Sequence, residues 1–215
     1  MSPGLLPFSL IVQLIGALLA TLVNLPFWLA YMVFVGLSFA YSHPRIRWKA
    51  HTWISLLVVG LGQGALAFVA AWAATRAEIV SAWSVDGVLG AIAALLLILA
   101  LYPLTQLYQV DEDAARGDRT VAVVWGPQRC FAFALTCTSL GGLLMLVVLA
   151  RRYGVVDTAL VGVGLAVQVA TISRLARSFD PKLILPSYRG VMRINVLSAS
   201  ALGGYLLVRL ALNSR

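Results

Sequence analysis

Long apolar runs decide what this chain can become. They recur from one end to the other and are separated by short polar or charged segments. Most approach the ~20 residues that a helix needs to cross the hydrocarbon core. A barrel would show segments of about ten residues with alternating polarity instead. The composition agrees: 61% of residues are hydrophobic, 11% are charged and the mean hydropathy is +0.92. A soluble domain carries about 25% charged residues. The chain therefore reads as an all-α, polytopic transmembrane helix bundle forming one domain over residues 1–215.

Seven spans are expected, near residues 5–23, 27–41, 52–74, 88–102, 131–150, 155–172 and 195–211. Pro26 separates the first two, because proline biases its predecessor away from the helical region. No Lys or Arg precedes Arg45, so the first run lacks the basic flank of a signal peptide and reads as a retained span. The segments 42–51, 103–129 and 173–194 fall on one side and hold eleven of the sixteen basic residues. Arg76, Arg151, Arg152, Arg209 and Arg215 fall on the other side or in the C-terminal tail. The positive-inside rule then makes the eleven-residue side cytoplasmic, with the N-terminus inside. Cys130 and Cys137, seven apart in one run, read as small core residues, with no disulfide framework or metal-ligand spacing.

Four of the eight acidic residues, Asp111, Glu112, Asp113 and Asp118, crowd into eight positions between two spans. A carboxylate at the bilayer centre costs roughly 2.5–3.5 kcal/mol even on lenient scales. Four facing lipid would cost on the order of 10 kcal/mol, so the cluster belongs at an aqueous rim or a polar cavity. If the fourth span continues as a helix, Tyr102, Gln106, Gln109 and Asp113 share a face, and Gly117 offers a place to leave it. Carboxylate and amide oxygens suit Mg²⁺, which takes one or two carboxylates together with substrate phosphates. Read alone, the cluster fits a solvated loop ending a span equally well.

On the same side lies the stretch YSHPRIRWK, residues 41–49. Its Arg45, Arg47 and Lys49 could neutralise a phosphate or diphosphate, or could simply anchor the span with Trp48 and Trp53 as interfacial aromatics. His43 and His51 read as interfacial rather than as ligands. Acid able to hold a divalent cation and base able to hold phosphate oxygens, on one rim of an apolar bundle, suit a diphosphate with an apolar tail.

These residues resemble the UbiA superfamily of intramembrane prenyltransferases. Asp113, Gly117 and Thr120 match, in register, the family's second aspartate-rich motif, Asp-x-x-x-Asp-x-x-x-Gly-x-x-Thr, and Gly126 follows shortly after. Tyr41, Ser42, Pro44, Arg45, Arg47 and Lys49 look like its Tyr-Ser-x-Pro-x-x-Arg-x-Lys loop, and the stretch YRGVMRIN (188–195) resembles bacterial members. The resemblance implies an inner (plasma) membrane protein that moves a prenyl group from a prenyl diphosphate to a hydrophobic, aromatic or lipid acceptor with Mg²⁺. No nucleic-acid partner is expected. By position, Asp113 is implied as a metal ligand and Tyr41 as the residue near the reacting carbon. Arg45, Arg47 and Lys49 are implied as diphosphate contacts, with Arg119 a weaker one. Gln109 stands where the motif's first aspartate is expected and offers a neutral oxygen, so Asp111 is expected to share the metal. The family's first motif, Asn-Asp-x-x-Asp, has no counterpart, since no acidic residue precedes Glu78. Seven spans rather than the usual nine fit a chain shortened by two helices. The competing readings are a non-catalytic, lipid-binding or scaffold protein on the same fold, and a small transporter.

Overall fold

The computed structural model describes residues 5–75 and 79–213 and is helical throughout, with a lone backbone bridge between His51 and Arg119. Arg76, Glu78 and Arg215, named above, lie outside the described residues. Helix α1 spans Leu5–Thr21 and α2 spans Leu25–Ser42. Asn24 caps α2 by accepting the Phe27 N–H, and Pro lies in the first turn, where its missing N–H costs nothing. Helix α3 runs Thr52–Thr75, and α4 runs Val85–Leu101 behind a Ser84 cap. A 3₁₀ segment, Pro103–Gln109, and the short α5, Val110–Ala115, follow in line. Helices α6 (Val121–Arg152), α7 (Val155–Ser178) and α8 (Ile184–Asn213) complete the order. Six helices are long and apolar enough to cross a membrane, and the shorter apolar helix of residues 7–21 makes the seventh element of the bundle.

Two stretches read as charged loops turn out to be mostly helix. Helix α8 begins at Ile184, eleven residues before the expected span, and α7 continues to Ser178. The segment after α4 stays helical through Ala115, and α6 begins at Val121, with a break at Gly126 (φ 70°) just ahead of Pro127. Hydropathy marks where a helix leaves hydrocarbon, whereas hydrogen bonding carries it further into the headgroup layer.

Small residues let the central helices approach closely, as membrane helices require where no hydrophobic force drives them together. Helix α3 widens to a π-helical turn over Val59–Leu66, which contains the buried Gly60, Gly62 and Gly64. A Cβ on Gly64 would stand 2.5 Å from Leu95 Cα, so two backbones touch there. Ala93 and Ala100 of α4 and Ala134 of α6 are buried, and Gly141 of α6 faces Leu96 and the Ala93 carbonyl of α4. The main core gathers Leu104, Leu107, Val121, Cys130, Phe131, Ile172, Val191 and Ile194 beneath the charged end of the bundle. Cys130 and Cys137 are both free and buried, as small core residues would be.

The opposite end is pinned by ion pairs. Asp86 in the first turn of α4 accepts from Arg151 Nε (2.7 Å) and Arg152 Nε (2.5 Å) at the end of α6. Asp157 of α7 accepts from the Tyr205 hydroxyl at 2.8 Å and pairs with Arg209 of α8 at 3.2 Å, while Arg209 lies over the Tyr153 ring. Asn24 Nδ2 ties the start of α2 to the Ala73 carbonyl near the end of α3.

Candidate active site

The basic stretch takes its shape from Pro44. The residue before it, His43, is driven to extended angles and ends α2, so Tyr41 stays in the last helical turn. Arg47 then adopts a left-handed conformation (φ 46°), uncommon for a residue with a Cβ, and turns the chain into a one-turn helix at Trp48–Ala50. On the acidic side Pro103 opens the 3₁₀ segment, and Gly117 (φ 75°) takes the chain out of α5. That turn brings the Asp118 N–H to the Asp113 carbonyl at 2.9 Å, so two carboxylates five positions apart become neighbours.

Backbone bonds then join the two stretches. Arg119 N–H donates to the Ala50 carbonyl (2.9 Å), and Thr52 Oγ1 donates to the Arg119 carbonyl (2.6 Å). Above this seam, Arg47 Nη2 donates to both oxygens of Asp118, at 2.9 and 2.7 Å. Arg116 Nη2 holds Asp113 Oδ1 at 2.5 Å, Nη1 holds Glu112 at 2.6 Å, and Nε stands 3.5 Å from Asp118. The hydrogen bond from Arg116 to Asp113, and then the negative charge of Glu112, hold that guanidinium above its ordinary pKa and firmly charged.

A polar cavity of about 220 Å³ opens between these groups. The end of α2 contributes Tyr41, and the basic stretch contributes Lys49. The end of α4 and the 3₁₀ segment contribute Tyr102, Thr105, Gln106, Tyr108 and Gln109, while Asp113, Arg116, Asp118 and Thr120 complete the wall. The Tyr41 and Tyr102 hydroxyls are 3.0 Å apart. Asp113 and Asp118 are buried, whereas Arg47 and Arg116 remain partly exposed. Thr120 precedes α6 without capping it, and its Oγ1 is buried with no partner among the described residues. A buried hydroxyl left unbonded is costly, and here it lines a cavity able to supply the missing partner.

Of the residues expected from sequence, Tyr41, Lys49, Gln109 and Asp113 meet at this cavity, and Arg47 reaches it through Asp118. Asp111, expected beside the metal, is exposed and not part of the wall, because it follows Gln109 by two positions on a helix and so leaves the shared face. Arg45 and Arg119 are also outside the wall; Arg119 serves through its backbone. Asp118, Arg116, Tyr102, Thr105, Gln106, Tyr108 and Thr120 line the cavity without having been assigned a role from sequence. The shared face of Tyr102, Gln106, Gln109 and Asp113 pointed toward several of them. Nothing in spacing could pair Asp118 with Arg47, 71 positions away.

A sequence model of the UbiA prenyltransferase family matches residues 3–208. Among solved structures, a UbiA homologue from Archaeoglobus fulgidus bound to Cd2+ superposes with a TM-score of 0.63 at 19% identity. The match covers 94% of this chain and 71% of that one, and at this identity it speaks for the fold alone. No curated protein sequence matches significantly.

Proposed function

The chain belongs to the UbiA prenyltransferase family, and from that premise we propose that it transfers a prenyl group from a prenyl diphosphate to a hydrophobic acceptor within the membrane. The observation that carries this reading is the cavity in which Lys49, Arg116 and the Tyr41–Tyr102 pair surround Asp113 at the charged rim of an apolar bundle. The diphosphate would sit against Lys49 and Arg116, with Arg47 behind Asp118, and the prenyl tail would run down between the helices. The charged end would face the cytoplasm, as its excess of arginine suggests.

In the reaction the bond between the prenyl C1 and the diphosphate oxygen breaks, and its electron pair leaves with the diphosphate. An electron pair of the acceptor forms the new bond to C1, and the acceptor then loses a proton. Lys49 and Arg116 would stabilise charge growing on the leaving group, as preorganised donors in a dry site do best. The Tyr41 and Tyr102 rings would face the positive charge developing on C1.

Family members use a divalent metal, and the donor set here fits Mg²⁺ shared with substrate. Asp113 has its Oδ2 unbonded among the described residues, Gln109 offers an amide oxygen and Thr120 an unpartnered hydroxyl. Three or more acidic, His or Cys residues do not converge on a point among the described residues, so substrate oxygens and water would fill the remaining positions. Bound there, Mg²⁺ would neutralise charge on the diphosphate.

The test is Mg²⁺-dependent diphosphate release from a labelled prenyl diphosphate by purified protein, beside Asp113→Ala. Wild type is expected to release it, and the variant to fall by about 10²-fold or more. Equal release by both, or binding with no release by wild type, overturns the catalytic reading. The second result would identify a non-catalytic lipid-binding protein on this fold.

A further inference from the structure

Helices α7 and α8 each present one stripe of exposed residues to the surroundings of the bundle, and each stripe ends in two arginines. On α7 the stripe is Val156, Leu160, Val163, Val167 and Ala170, continued by Arg174 and Arg177 at the charged end. The buried Ile172 lies on the opposite face. On α8 the stripe begins with Arg189 and Arg193 and continues through Val196 and Ser200 to Leu207. Ser187, Val191 and Ile194 face inward. The arginines therefore sit on the surfaces that meet lipid, and not on surfaces turned to the cavity.

Helix length fixes their depth. At 1.5 Å per residue, the 24 residues of α7 and the 30 of α8 exceed the ~30 Å hydrocarbon core. Both helices are anchored at the far end, α7 by Asp157 and α8 by Arg209. About twenty residues counted from the far termini of the helices, Val155 and Asn213, reach Arg174 and Arg193, which places all four guanidiniums at the headgroup layer beside the charged loops.

The two pairs are also neighbours. A Cβ on Gly190 would stand 2.7 Å from Leu175 Cδ1, so α7 and α8 touch at the level of Arg174 and Arg189. Like charges three or four residues apart on a helix repel. None of the four has an acidic partner among the described residues. The acid in the connecting turn, Asp180, accepts the Lys182 N–H at 2.9 Å. The turn and the first residues of α8 expose Leu183, Ile184 and Leu185, which suit the interface between headgroups and acyl chains.

We propose that Arg174, Arg177, Arg189 and Arg193 form a binding surface for anionic phospholipid on the outer face of the α7–α8 hairpin. The guanidiniums take the phosphodiester oxygens, for which their paired N–H donors are suited, and the apolar stripes below take the acyl chains. This surface is separate from the cavity and does not depend on the catalytic reading.

The test uses the full chain reconstituted in vesicles of equal parts phosphatidylglycerol and phosphatidylcholine. Native mass spectrometry after release counts the lipids retained. Wild type is expected to retain phosphatidylglycerol selectively, and the Arg129→Gln variant, which lacks another exposed cation of the same end, to do the same. The variant carrying R174Q, R177Q, R189Q and R193Q together should lose retention at least about tenfold. Two double variants, R174Q with R177Q and R189Q with R193Q, should each show an intermediate loss with unchanged helicity, and they carry the test if the fourfold variant does not fold. Equal retention by the variants, equal retention of phosphatidylcholine, or displacement by millimolar inorganic phosphate overturns the proposal.

Discussion

Thr120 and Arg116 show how little of this site is closed by the protein itself. Arg116 reaches three carboxylates at once, all from the acidic cluster that stands out between the apolar runs. Thr120 matches a family motif by position, and the structure gives that match a physical content: its hydroxyl is buried and unbonded at the cavity wall. Replacing it with valine removes no hydrogen bond seen within the chain. Thr120→Val should leave thermal unfolding within about 0.5 kcal/mol of wild type. If the hydroxyl serves a bound diphosphate or its metal, affinity for inorganic diphosphate should fall by about tenfold or more, the scale of a hydrogen bond to a charged group. Calorimetric titration beside a thermal melt separates the two effects.

Among the elements, α3 and α4 carry the tightest constraint. Their contact at Gly64 and Leu95 is backbone against backbone, which no rotamer change can relieve. Gly64→Ala should therefore force the helices apart and cost about 1–3 kcal/mol, seen as a lower melting temperature in detergent. Gly36→Ala in α2, where nothing lies within 4 Å of the new Cβ, should be neutral or stabilising by up to about 1 kcal/mol. The existence of these helices was legible as apolar runs, and the exit at Gly117 was legible because glycine accepts a positive φ. The reach of α8 back to Ile184 was not, because residues 184–194 include a serine, a proline and two arginines, which hydropathy reads as loop. Likewise Gln109 and Asp113 could be placed on one face by local spacing. The pairing of Arg47 with Asp118 depends on how two distant segments dock, and no local pattern encodes that.

At the scale of the whole molecule the two ends differ in kind. The far end is nearly self-neutralised: Asp86 answers Arg151 and Arg152, and Asp157 answers Arg209. Among the described residues the near end leaves most of its arginine side chains without acidic partners and sets Asp113 and Asp118 in the wall of a cavity. Arg151, Arg152 and Arg209, the minority-side arginines among the described residues, are those with built acidic partners. Asp86→Asn should lower the melting temperature by loosening α4 from the end of α6. Diphosphate release should stay at the wild-type rate, because Asp86 is on the far side of the bundle from the cavity. A parallel loss of release would mean that the two ends are mechanically linked.

The seam at Arg119, Ala50 and Thr52 has a consequence for how such a cavity works over time. Because a main-chain bond and the Thr52 hydroxyl fuse the basic and acidic stretches, the two walls are held at a set spacing by the protein itself. On the proposed reading a ligand arriving there would lose little free energy to reorganising the protein, and capture would be governed by encounter from the bilayer. Departure would then be the harder step, since a multiply charged product would have to leave Lys49 and Arg116, the latter held by its carboxylates. Turnover in such a device would be limited by escape of the headgroup into water and would quicken with ionic strength.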